Sequence, residues 1–596
     1  MLRTPPAPRL RHALAGLASL IASVAAASAP APTFTRVTDP ANPVVTEAFE
    51  SGGGSWCDLD GDGLPELFVA HGNLSNQDDA LFRNLGGMQF ARVTTGPVVH
   101  DGGSSIGGTW GDFDNDGHPD LFVTNRNFFG NFLYRGLGDT LFDEVLAGPV
   151  VTDLGNSNSS SWVDVDGDGD LDLYVVNFNG DDFLYVNGGA PGFALVRVIA
   201  PPVAGTEFSI VGAWGDVNDD NRPDLFVGNA GAQDDRLWIN QGGLGFTGIT
   251  LADGRASLGA SWGDYDEDGQ LDLFVANFTN QASLLYRNAG PPTYALVPVA
   301  AGALTTDLAN SVGSAWGDVD DDGDLDLFVA RDGQACGLYL NDGPPGFTFT
   351  KVTTGALVTT VGNSFGASLV DVDGDGHLDV FVANRLNQPD FLFRNDGNAL
   401  HWLAVRCTGT ASNRSAIGAR VTVFATIDVA RRLTREVAAQ TGYNSQVLAL
   451  HFGLGDAAVA DSIVVRWPSG ALDVSRGVPA DRRVELVEGQ GVVSVPTAPA
   501  PPGGLELRLL QSGSSVEIRW AIPAGGPVSL ELFDVRGRRV ATLEDGPRAA
   551  GAHATRLPDA AIGPPGLYFC RLRSGGATLT RKLVHTRGPP PTEDSP

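Results

Sequence analysis

The chain has 596 residues, which is too long for one hydrophobic core and predicts several domains. Its 70 acidic and 39 basic residues give a formal net charge of −31, which argues against nucleic-acid binding because that function needs a basic surface. The four cysteines are too few and too scattered for a disulfide framework.

The first 29 residues have the composition of an export signal. Arg3, Arg9 and Arg11 precede an apolar run from Ala13 to Ala27, and small residues follow. The run is too short for a membrane span, so it predicts a cleaved signal peptide over residues 1–29. No later segment is apolar for long enough to be a transmembrane segment. We therefore expect an exported bacterial protein that is secreted or located at the cell surface.

Between residues 30 and 398 an acidic loop of nine residues recurs seven times, in the form Asp-x-Asp-x-Asp-Gly-x-x-Asp. Successive copies begin 48 to 54 residues apart, at Asp58, Asp112, Asp164, Asp216, Asp264, Asp318 and Asp371. That period accommodates one four-stranded sheet with its turns. Seven such units predict an all-β fold with a seven-bladed β-propeller over residues 30–398.

The loop residues, numbered here as positions 1 to 9, have the chemistry of a calcium site. Positions 1, 3, 5 and 9 carry carboxylates, with Asn218 as the one neutral exception, and position 6 is glycine or Asn221, as a turn with positive φ requires. Hard oxygen ligands on alternate residues, with a backbone carbonyl at position 7, suit Ca²⁺. No nitrogen or sulfur ligand recurs in register, which argues against zinc, copper and iron.

The sequence thus predicts up to seven Ca²⁺ ions as cofactors. The predicted ligands at positions 1, 3, 5, 7 and 9 are, loop by loop, Asp58, Asp60, Asp62, Leu64 and Glu66; Asp112, Asp114, Asp116, His118 and Asp120; Asp164, Asp166, Asp168, Asp170 and Asp172; Asp216, Asn218, Asp220, Arg222 and Asp224; Asp264, Asp266, Asp268, Gln270 and Asp272; Asp318, Asp320, Asp322, Asp324 and Asp326; and Asp371, Asp373, Asp375, His377 and Asp379.

The loops are not EF-hands. An EF-hand places a bidentate Glu at position 12 and continues into a helix. Here position 12 is valine in every copy and lies in an apolar run such as Leu121-Phe122-Val123, which predicts a buried strand. The tryptophans that precede six of the loops are interpreted as core residues of the blades.

These repeats, from about residue 33 to 398, resemble the FG-GAP/VCBS repeats of integrin α-subunit propellers and of many bacterial surface proteins. The resemblance implies a seven-bladed propeller with calcium in hairpin loops on one face. Glu66, Asn218 and Asn221 depart from the family pattern, at the first and fourth sites.

Residues 399–489 predict a small β-rich domain. Its segments Ser412-Asn413-Arg414, Ala416-Ile417-Gly418-Ala419, His451-Phe452-Gly453 and Trp467-Pro468-Ser469-Gly470 resemble the ASPIC/UnbV domain of the cartilage acidic protein family.

Two roles are considered for this domain. His451 with Glu436, Ser445 or Asp461 offers an acid/base set, but neither a nucleophile elbow nor a metal-ligand spacing accompanies it, so a structural or binding role is favoured. The residues predicted for a polar recognition surface are Arg414, Arg420 and Tyr443.

The remaining chain predicts three further parts. Residues 490–504 are rich in Pro, Ala and Gly and are predicted to be a linker. Residues 505–587 alternate as strands and resemble the FlgD-type immunoglobulin-like module and the sorting domains of type IX secretion substrates, which implies a β-sandwich and export through such machinery. The proline-rich tail, 588–596, is predicted to be disordered.

Three functions follow as hypotheses. The first is an exported, calcium-binding and non-catalytic interaction or adhesion platform whose partner is an extracellular protein or glycan. The second is a calcium-dependent lectin that stacks sugars on Tyr134, Tyr185, Trp238 and Tyr286, which occupy equivalent positions in their repeats. The third is a polysaccharide lyase or hydrolase. The first is favoured, because it uses every strong feature and requires no catalytic group.

Overall fold

A computed structural model describes residues 32–585. The exceptions are residues 73–76, 200–201, 203–206, 232, 440–442, 445, 494–505, 513–514, 523–525, 535, 537, 549–550, 558–565 and 575–576. The predicted signal peptide, most of the predicted linker and the predicted tail lie outside the described residues. None of the described helices is long and apolar enough to span a membrane.

The repeat region folds as antiparallel four-stranded sheets, and the prediction of an all-β propeller is confirmed. Strand pairing of the described residues gives seven such sheets. In order from the innermost strand outward, the first to third consist of Ser51–Cys57, Glu66–His71, Ala80–Asn84 and Phe90–Arg92; Ser105–Gly111, Asp120–Asn125, Phe132–Gly136 and Phe142–Glu144; and Ser157–Val163, Asp172–Asn177, Phe183–Asn187 and Leu195–Val198.

The same order holds in the remaining sheets. The fourth to seventh consist of Ser209–Gly215, Asp224–Asn229, Asp235–Asn240 and Phe246–Leu251; Ser257–Gly263, Asp272–Asn277, Leu284–Asn288 and Leu296–Pro298; Ser311–Gly317, Asp326–Ala335, Gly337–Asn341 and Phe349–Lys351; and Val361–Val370, Asp379–Asn384, Phe391–Asn395 and Phe34–Arg36. The ends of the long strands Asp326–Ala335 and Val361–Val370 also pair with each other.

Short elements connect these sheets. They are the one-turn helices Pro43–Thr46, Pro149–Thr152, Ala303–Thr306 and Ala356–Thr359, the 3₁₀ turn Pro97–Val99, and the two-residue strands Ala48–Phe49, Gln281–Ala282, Leu308–Ala309 and Gln388–Pro389.

The sheets form a closed ring. The innermost strand of each sheet contacts the innermost strand of the next, and that of the seventh sheet contacts that of the first. The N-terminal strand Phe34–Arg36 supplies the outermost strand of the seventh sheet by pairing with Phe391–Asn395. The two ends of the repeat region are therefore joined within one sheet, which leaves no open gap between the first and last repeats.

The predicted tryptophans fill the space between neighbouring sheets. Trp162 is 1% exposed, stacks on Phe113 of the preceding sheet and donates from Nε1 to the carbonyl of Thr109. Trp56 and Trp110 are equally buried. The position-12 valines are buried as well, which confirms that a strand follows each loop.

An asparagine links most sheets to the preceding one. Asn240, for example, ends the third strand of the fourth sheet, and its Nδ2 donates to the carbonyl of Val165 in the third sheet. Equivalent bonds run from Asn84 to Val372, Asn187 to Phe113, Asn288 to Val217, Asn341 to Tyr265 and Asn395 to Val319. In the second sheet Gly136 occupies this position, and the backbone N–H of Asp139 bonds to Leu59 instead.

The second domain consists of two four-stranded sheets that share one core. The first sheet contains Leu450–Gly455, His401–Thr408, Arg482–Val487 and Gly491–Val493, and the second contains Ala430–Glu436, Arg420–Thr426, Val459–Arg466 and Leu472–Pro479. The strand Gly491–Val493 lies in the segment predicted as a linker, so that prediction is wrong for these residues: they pair with Arg482–Val487.

Glu488 joins two of the sequence motifs in this domain. Its carboxylate accepts hydrogen bonds from the backbone of Thr410, Ala411 and Ser412 and from the hydroxyl of Ser469. Burial alone would raise the pKa of Glu488, but these hydrogen bonds outweigh it and lower the pKa to about 2.

The C-terminal region contains a three-stranded and a four-stranded sheet. They are Glu506–Ser512, Ser515–Ile522 and Gly551–Leu557, and Arg539–Arg548, Gly526–Asp534, Gly566–Ser574 and Ala577–His585. Side chains of both sheets, such as Trp520 and Leu530, share one core, as in a β-sandwich. Its resemblance to sorting domains stays a prediction.

Replacing Asn240 by Ala should destabilise the propeller, because the change removes two donated hydrogen bonds and the one that Gly242 donates to Asn240. We expect the free energy of unfolding to fall by about 2–4 kcal/mol. Chemical denaturation of the variant and of the exposed neighbour variant Gln241→Ala measures this. Equal stability of the two variants would contradict the proposed link between sheets.

Candidate functional site

All seven acidic loops lie at the same face of the propeller. Each begins where the innermost strand of its sheet ends and finishes where the second strand begins. Since the sheets are arranged as a ring with equivalent strands innermost, the loops form a circle around the central channel. We call this the loop face.

The position-1 aspartate closes each loop on itself. Its Oδ2 accepts the backbone N–H of position 6 in all seven copies, at 2.8–3.1 Å. Position 6 has φ between 65° and 100°, which confirms the predicted positive φ and explains glycine or asparagine there. This bond leaves Oδ1 of position 1 available for another partner.

The position-9 carboxylates are the most deeply buried. All seven are fully buried, and in every loop one of their oxygens accepts the backbone N–H of position 2. The other oxygen accepts a backbone N–H at the end of the third strand, such as that of Asn288 for Asp272. Position 9 therefore fixes each loop to its own sheet.

Carboxylate oxygens converge within the loops. Oxygens of positions 1, 3 and 9 lie within 4.8 Å of one another in the second, third, fifth and sixth loops, and those of positions 1, 3 and 5 do so in the first. Position 5 also accepts the backbone N–H of position 7, as Asp268 does from Gln270.

Several side chains at position 7 bind groups outside their own loop. His377 pairs with Asp321, and Asp170 accepts from Asn115. In these loops position 7 therefore has only its predicted backbone carbonyl to offer a metal.

Several converging oxygens are buried without a hydrogen-bond partner. They are Oδ1 of Asp58, Asp114, Asp264, Asp318 and Asp320. Burial costs free energy for any polar atom whose bonds to water are not replaced, and most of all for a charged one. A cation among these oxygens would remove that cost.

The pKa values of the position-9 carboxylates are raised, which is a second sign that the buried loops disfavour negative charge. Burial, reinforced by neighbouring carboxylates, raises the pKa of Glu66 and Asp120 to about 9 and that of Asp172 and Asp224 to about 8. It also raises the pKa of Asp272, Asp326 and Asp379 well above the usual range. A positive charge nearby would lower the pKa of these position-9 carboxylates and so favour their ionised form. The donor set, entirely oxygen and mostly carboxylate, fits Ca²⁺.

The second domain covers the loop face. Arg483 donates to Oδ2 of Asp371 at 2.7 Å, and Arg466 donates to Oδ2 of Asp216 at 2.6 Å. At the sixth loop the backbone N–H of Gly453 donates to Asp318 Oδ2. These contacts reach position 1 of three loops.

Position 4 of the loop also contacts the second domain, a role that the repeat pattern did not indicate. Asp219 pairs with Arg420 and Arg466, Glu267 with Arg431, and Asp321 with His451. The sequence carried a signal, because position 4 is acidic only in loops four to six and is Gly or Asn in the others.

A segment of the second domain also enters the central channel. Tyr443 is 1% exposed and packs with Ile106, Ile210, Val312 and Phe365, which lie on the innermost strands of four different sheets. Asn444 accepts the backbone N–H of Gly54 and donates to the carbonyl of Ala367. The second domain therefore closes the channel from the loop face.

These contacts correct the predicted roles of several residues. Arg414, Arg420 and Tyr443, predicted as a recognition surface, contact the propeller of the same chain. The acid/base set around His451, which was less favoured from the sequence than a structural or binding role, is not assembled among the described residues: its Nε2 contacts Asp321 and the carbonyl of Gly376. Glu436 pairs with Arg420, Asp461 accepts from Thr426, and Ser445 lies outside the described residues.

The predicted sugar-stacking aromatics are also reassigned. Tyr134 and Tyr185 are fully buried, and their hydroxyls donate to Asp101 and Asp153. Tyr286 is 5% exposed, and Trp238 packs against a core cluster. Stacking on a sugar is therefore wrong as a role for the three tyrosines.

Comparison with known proteins agrees with this geometry. The model of the FG-GAP-like repeat matches residues 58–123, 164–227, 216–275, 264–329 and 318–382, and the model named ASPIC and UnbV matches residues 409–493. The chain carries FG-GAP-like repeats followed by an ASPIC/UnbV domain. The second domain is named accordingly below.

More distant likenesses are partial. Over 142 residues the chain is 31% identical to cartilage acidic protein 1 of Mus musculus, a match that covers 23% of this chain and 21% of that protein. The chain thus spans about a fifth of the length of that relative.

Among solved structures, the BBS1N structure in complex with ARL6DN has a TM-score of 0.39 at 13% identity, with 61% of this chain and 97% of that chain covered. The crystal structure of puromycin hydrolase has a TM-score of 0.34 at 11% identity, with 83% of this chain and 62% of that chain covered.

Replacing Tyr443 by Ala should weaken the contact between the two domains, because it leaves a cavity among the four apolar side chains of the channel. We expect the free energy of unfolding to fall by about 3–5 kcal/mol, the usual cost of truncating a buried aromatic side chain, and the melting temperature to fall with it. The control is Phe424→Ala, an exposed aromatic of the same domain. If Tyr443→Ala melted like this control, the channel contact would contribute nothing to stability.

Proposed function

We propose that this chain is an exported calcium-binding protein in which the FG-GAP propeller is a non-catalytic interaction platform. Calcium in the acidic loops stabilises the loop face. The observation that carries the proposal is the recurrence of buried, partnerless carboxylate oxygens at equivalent positions of the loops, such as Oδ1 of Asp58, Asp264 and Asp318.

In each loop, positions 1, 3, 5 and 9 and the carbonyl of position 7 are the groups that would hold the ion. The carboxylates of a loop repel one another, and burial keeps away the water that would weaken this repulsion. The positive charge of the ion would offset it. Its role in this proposal is structural, because the ASPIC/UnbV domain covers the same face.

The opposite face of the propeller is the proposed platform. That end of the sheets exposes apolar side chains: Phe128 is 65% exposed, Leu154 and Leu308 are 63% exposed, and Val361 is 61% exposed. Contiguous exposed apolar side chains are typical of interaction surfaces, and we assign these four to one such surface. The proposed partner is an extracellular protein or glycan.

Export is supported by the composition of residues 1–29, which have the order of charged, apolar and small residues of a signal peptide. The FG-GAP-like repeats and the partial likeness to cartilage acidic protein 1 support it too, because both are typical of extracellular proteins.

A matched pair of variants in the third loop tests calcium binding. Asp166, at position 3, contributes an oxygen to the converging group, whereas the side chain of Asp170, at position 7, accepts from Asn115. Alanine is used at both positions, because the fourth loop has Asn218 at position 3 and asparagine would keep a ligand oxygen there. Both changes remove one negative charge from the same loop.

We expect Asp166→Ala to bind one calcium ion fewer than the parent, because it removes a ligand oxygen, and Asp170→Ala to bind the same number, because its backbone carbonyl is retained. Calorimetric titration with calcium, and with magnesium for comparison, measures both numbers. An unchanged stoichiometry in Asp166→Ala, or an equal loss in both variants, would argue against this ligand assignment.

A further inference from the structure

The loop carboxylates contact two different partners through their two oxygens. In the sixth loop, Oδ2 of Asp318 accepts from Gly323 in the loop and from Gly453 of the ASPIC/UnbV domain, at 2.9 and 3.0 Å. Its Oδ1 is buried and has no hydrogen-bond partner. One oxygen therefore contacts the docked domain, and the other remains for a cation.

The ASPIC/UnbV domain uses Oδ2 elsewhere on the loop face as well. Arg466 and Arg483 bind Oδ2 of Asp216 and Asp371, whose Oδ1 atoms accept a backbone N–H of their own loop. The position-3 aspartates are held in a similar way from within the propeller: Arg135 binds Oδ2 of Asp114, whose Oδ1 is buried without a partner. Docking and metal binding thus use different atoms of the same groups and do not compete for them.

The ASPIC/UnbV domain also depends on the course of the loop backbone. Arg432 donates to the carbonyl of Asp268 at 3.0 Å, His451 contacts the carbonyl of Gly376 at 2.9 Å, and Arg420 donates to the carbonyl of Asp216 at 2.6 Å. These acceptors are correctly placed only while the loops keep their tight turn.

Without a cation, repulsion between the carboxylates destabilises the tight turn of a loop. At positions 1, 3, 5 and 9, six of the loops hold four carboxylates and the fourth holds three, at separations of a few ångströms, where like charges repel strongly in a partly buried site. A divalent ion offsets two of these charges. The loop stays negative, so its attraction to the arginines of the ASPIC/UnbV domain persists.

We propose that calcium binding by the loops and docking of the ASPIC/UnbV domain are positively linked, so that the domain is fully docked on the propeller only when the loops hold calcium. This inference rests on the proposed calcium binding. Calcium stabilises the arrangement of Oδ2 atoms and carbonyls that the domain contacts, and the docked domain in turn holds Oδ1 towards the ion.

Linkage is reciprocal: a change that weakens docking without touching a metal ligand must also weaken calcium binding. Arg431 offers such a change. Its side chain is 4% exposed and binds two carboxylates. Glu267, at position 4, is not a predicted ligand, and Asp324, at position 7, is predicted to bind calcium only through its backbone carbonyl, which Arg431 does not contact. Arg476, on an exposed strand of the same domain, supplies the control.

The experiment has two arms on the full-length protein. In the first, calcium is titrated calorimetrically into the parent, Arg431→Gln and Arg476→Gln. We expect Arg431→Gln to raise the calcium dissociation constant by at least about fivefold, the lower end of usual coupling. Arg476→Gln should bind calcium as the parent does.

In the second arm, hydrogen exchange of the parent is compared in calcium and in chelator. The reporters are the backbone amides of Gly54 and Gly453, whose acceptors Asn444 and Asp318 lie across the interface. We expect these amides to exchange faster in chelator, while Val423, buried inside the ASPIC/UnbV domain, stays protected. This arm needs no variant and stands even if Arg431→Gln folds poorly.

The outcomes separate the two proposals. Absence of calcium binding in the parent would refute the proposed function itself. Calcium binding with equal protection of Gly54 and Gly453 in both conditions would overturn the linkage alone, as would tighter calcium binding by Arg431→Gln. A loss of protection that includes Val423 would also contradict it, because calcium would then hold the whole fold rather than the docking.

Discussion

The structure depends on one carboxylate in each loop, whose two oxygens have different roles. At position 1 of each acidic loop, Oδ2 accepts the backbone N–H of position 6 and so fixes the turn. Oδ1 accepts further backbone N–H groups in the second, third, fourth and seventh loops, whereas in Asp58, Asp264 and Asp318 it is buried with no partner. Such a loop concentrates negative charge in a buried place, and a bound cation would offset that charge. The arrangement recurs at equivalent places around the ring.

The ring gives this local arrangement its wider effect. Position 9 ties each loop to its own sheet, and asparagines such as Asn240 tie six of the seven sheets to the position-2 carbonyl of the preceding loop. The loop turn, the sheet and the neighbouring sheet therefore share hydrogen bonds. The ASPIC/UnbV domain adds a third layer, because its arginines and Tyr443 contact the loops and the channel that the ring encloses.

Much of this fold could be predicted from the sequence because the repeats are local. Loop spacing, positive φ at position 6 and burial of the position-12 valines follow from patterns within about 50 residues. Ring closure by Phe34–Arg36 could not be predicted, since it joins residues 361 positions apart and no pattern specifies which end contributes the strand. The linking asparagines look like turn residues, because their sequence context is that of a hairpin.

The docking of the ASPIC/UnbV domain on the loop face is the largest feature that the sequence did not predict. Its contacts use position 4, which differs from loop to loop, so no repeat pattern marks it: Gly61 and Asn115 occupy the position that Glu267 holds in the fifth loop. The prediction for the aromatic residues of the third strands was wrong for a related reason. Equivalent positions in repeats share an environment, but the sequence does not show whether that environment is solvent or core, and Tyr134 and Tyr185 lie in the core.

The most direct test of calcium binding and docking together is a structure determined from crystals grown with calcium. The anomalous signal of calcium would locate the ions. We predict an anomalous peak inside the loops, about 2.3–2.6 Å from Oδ1 of residues such as Asp264 and Asp318. Oδ2 of Asp318 should still accept from Gly323 and Gly453. Loops that hold only water, or a peak bound through Oδ2 with the ASPIC/UnbV domain displaced, would contradict this prediction.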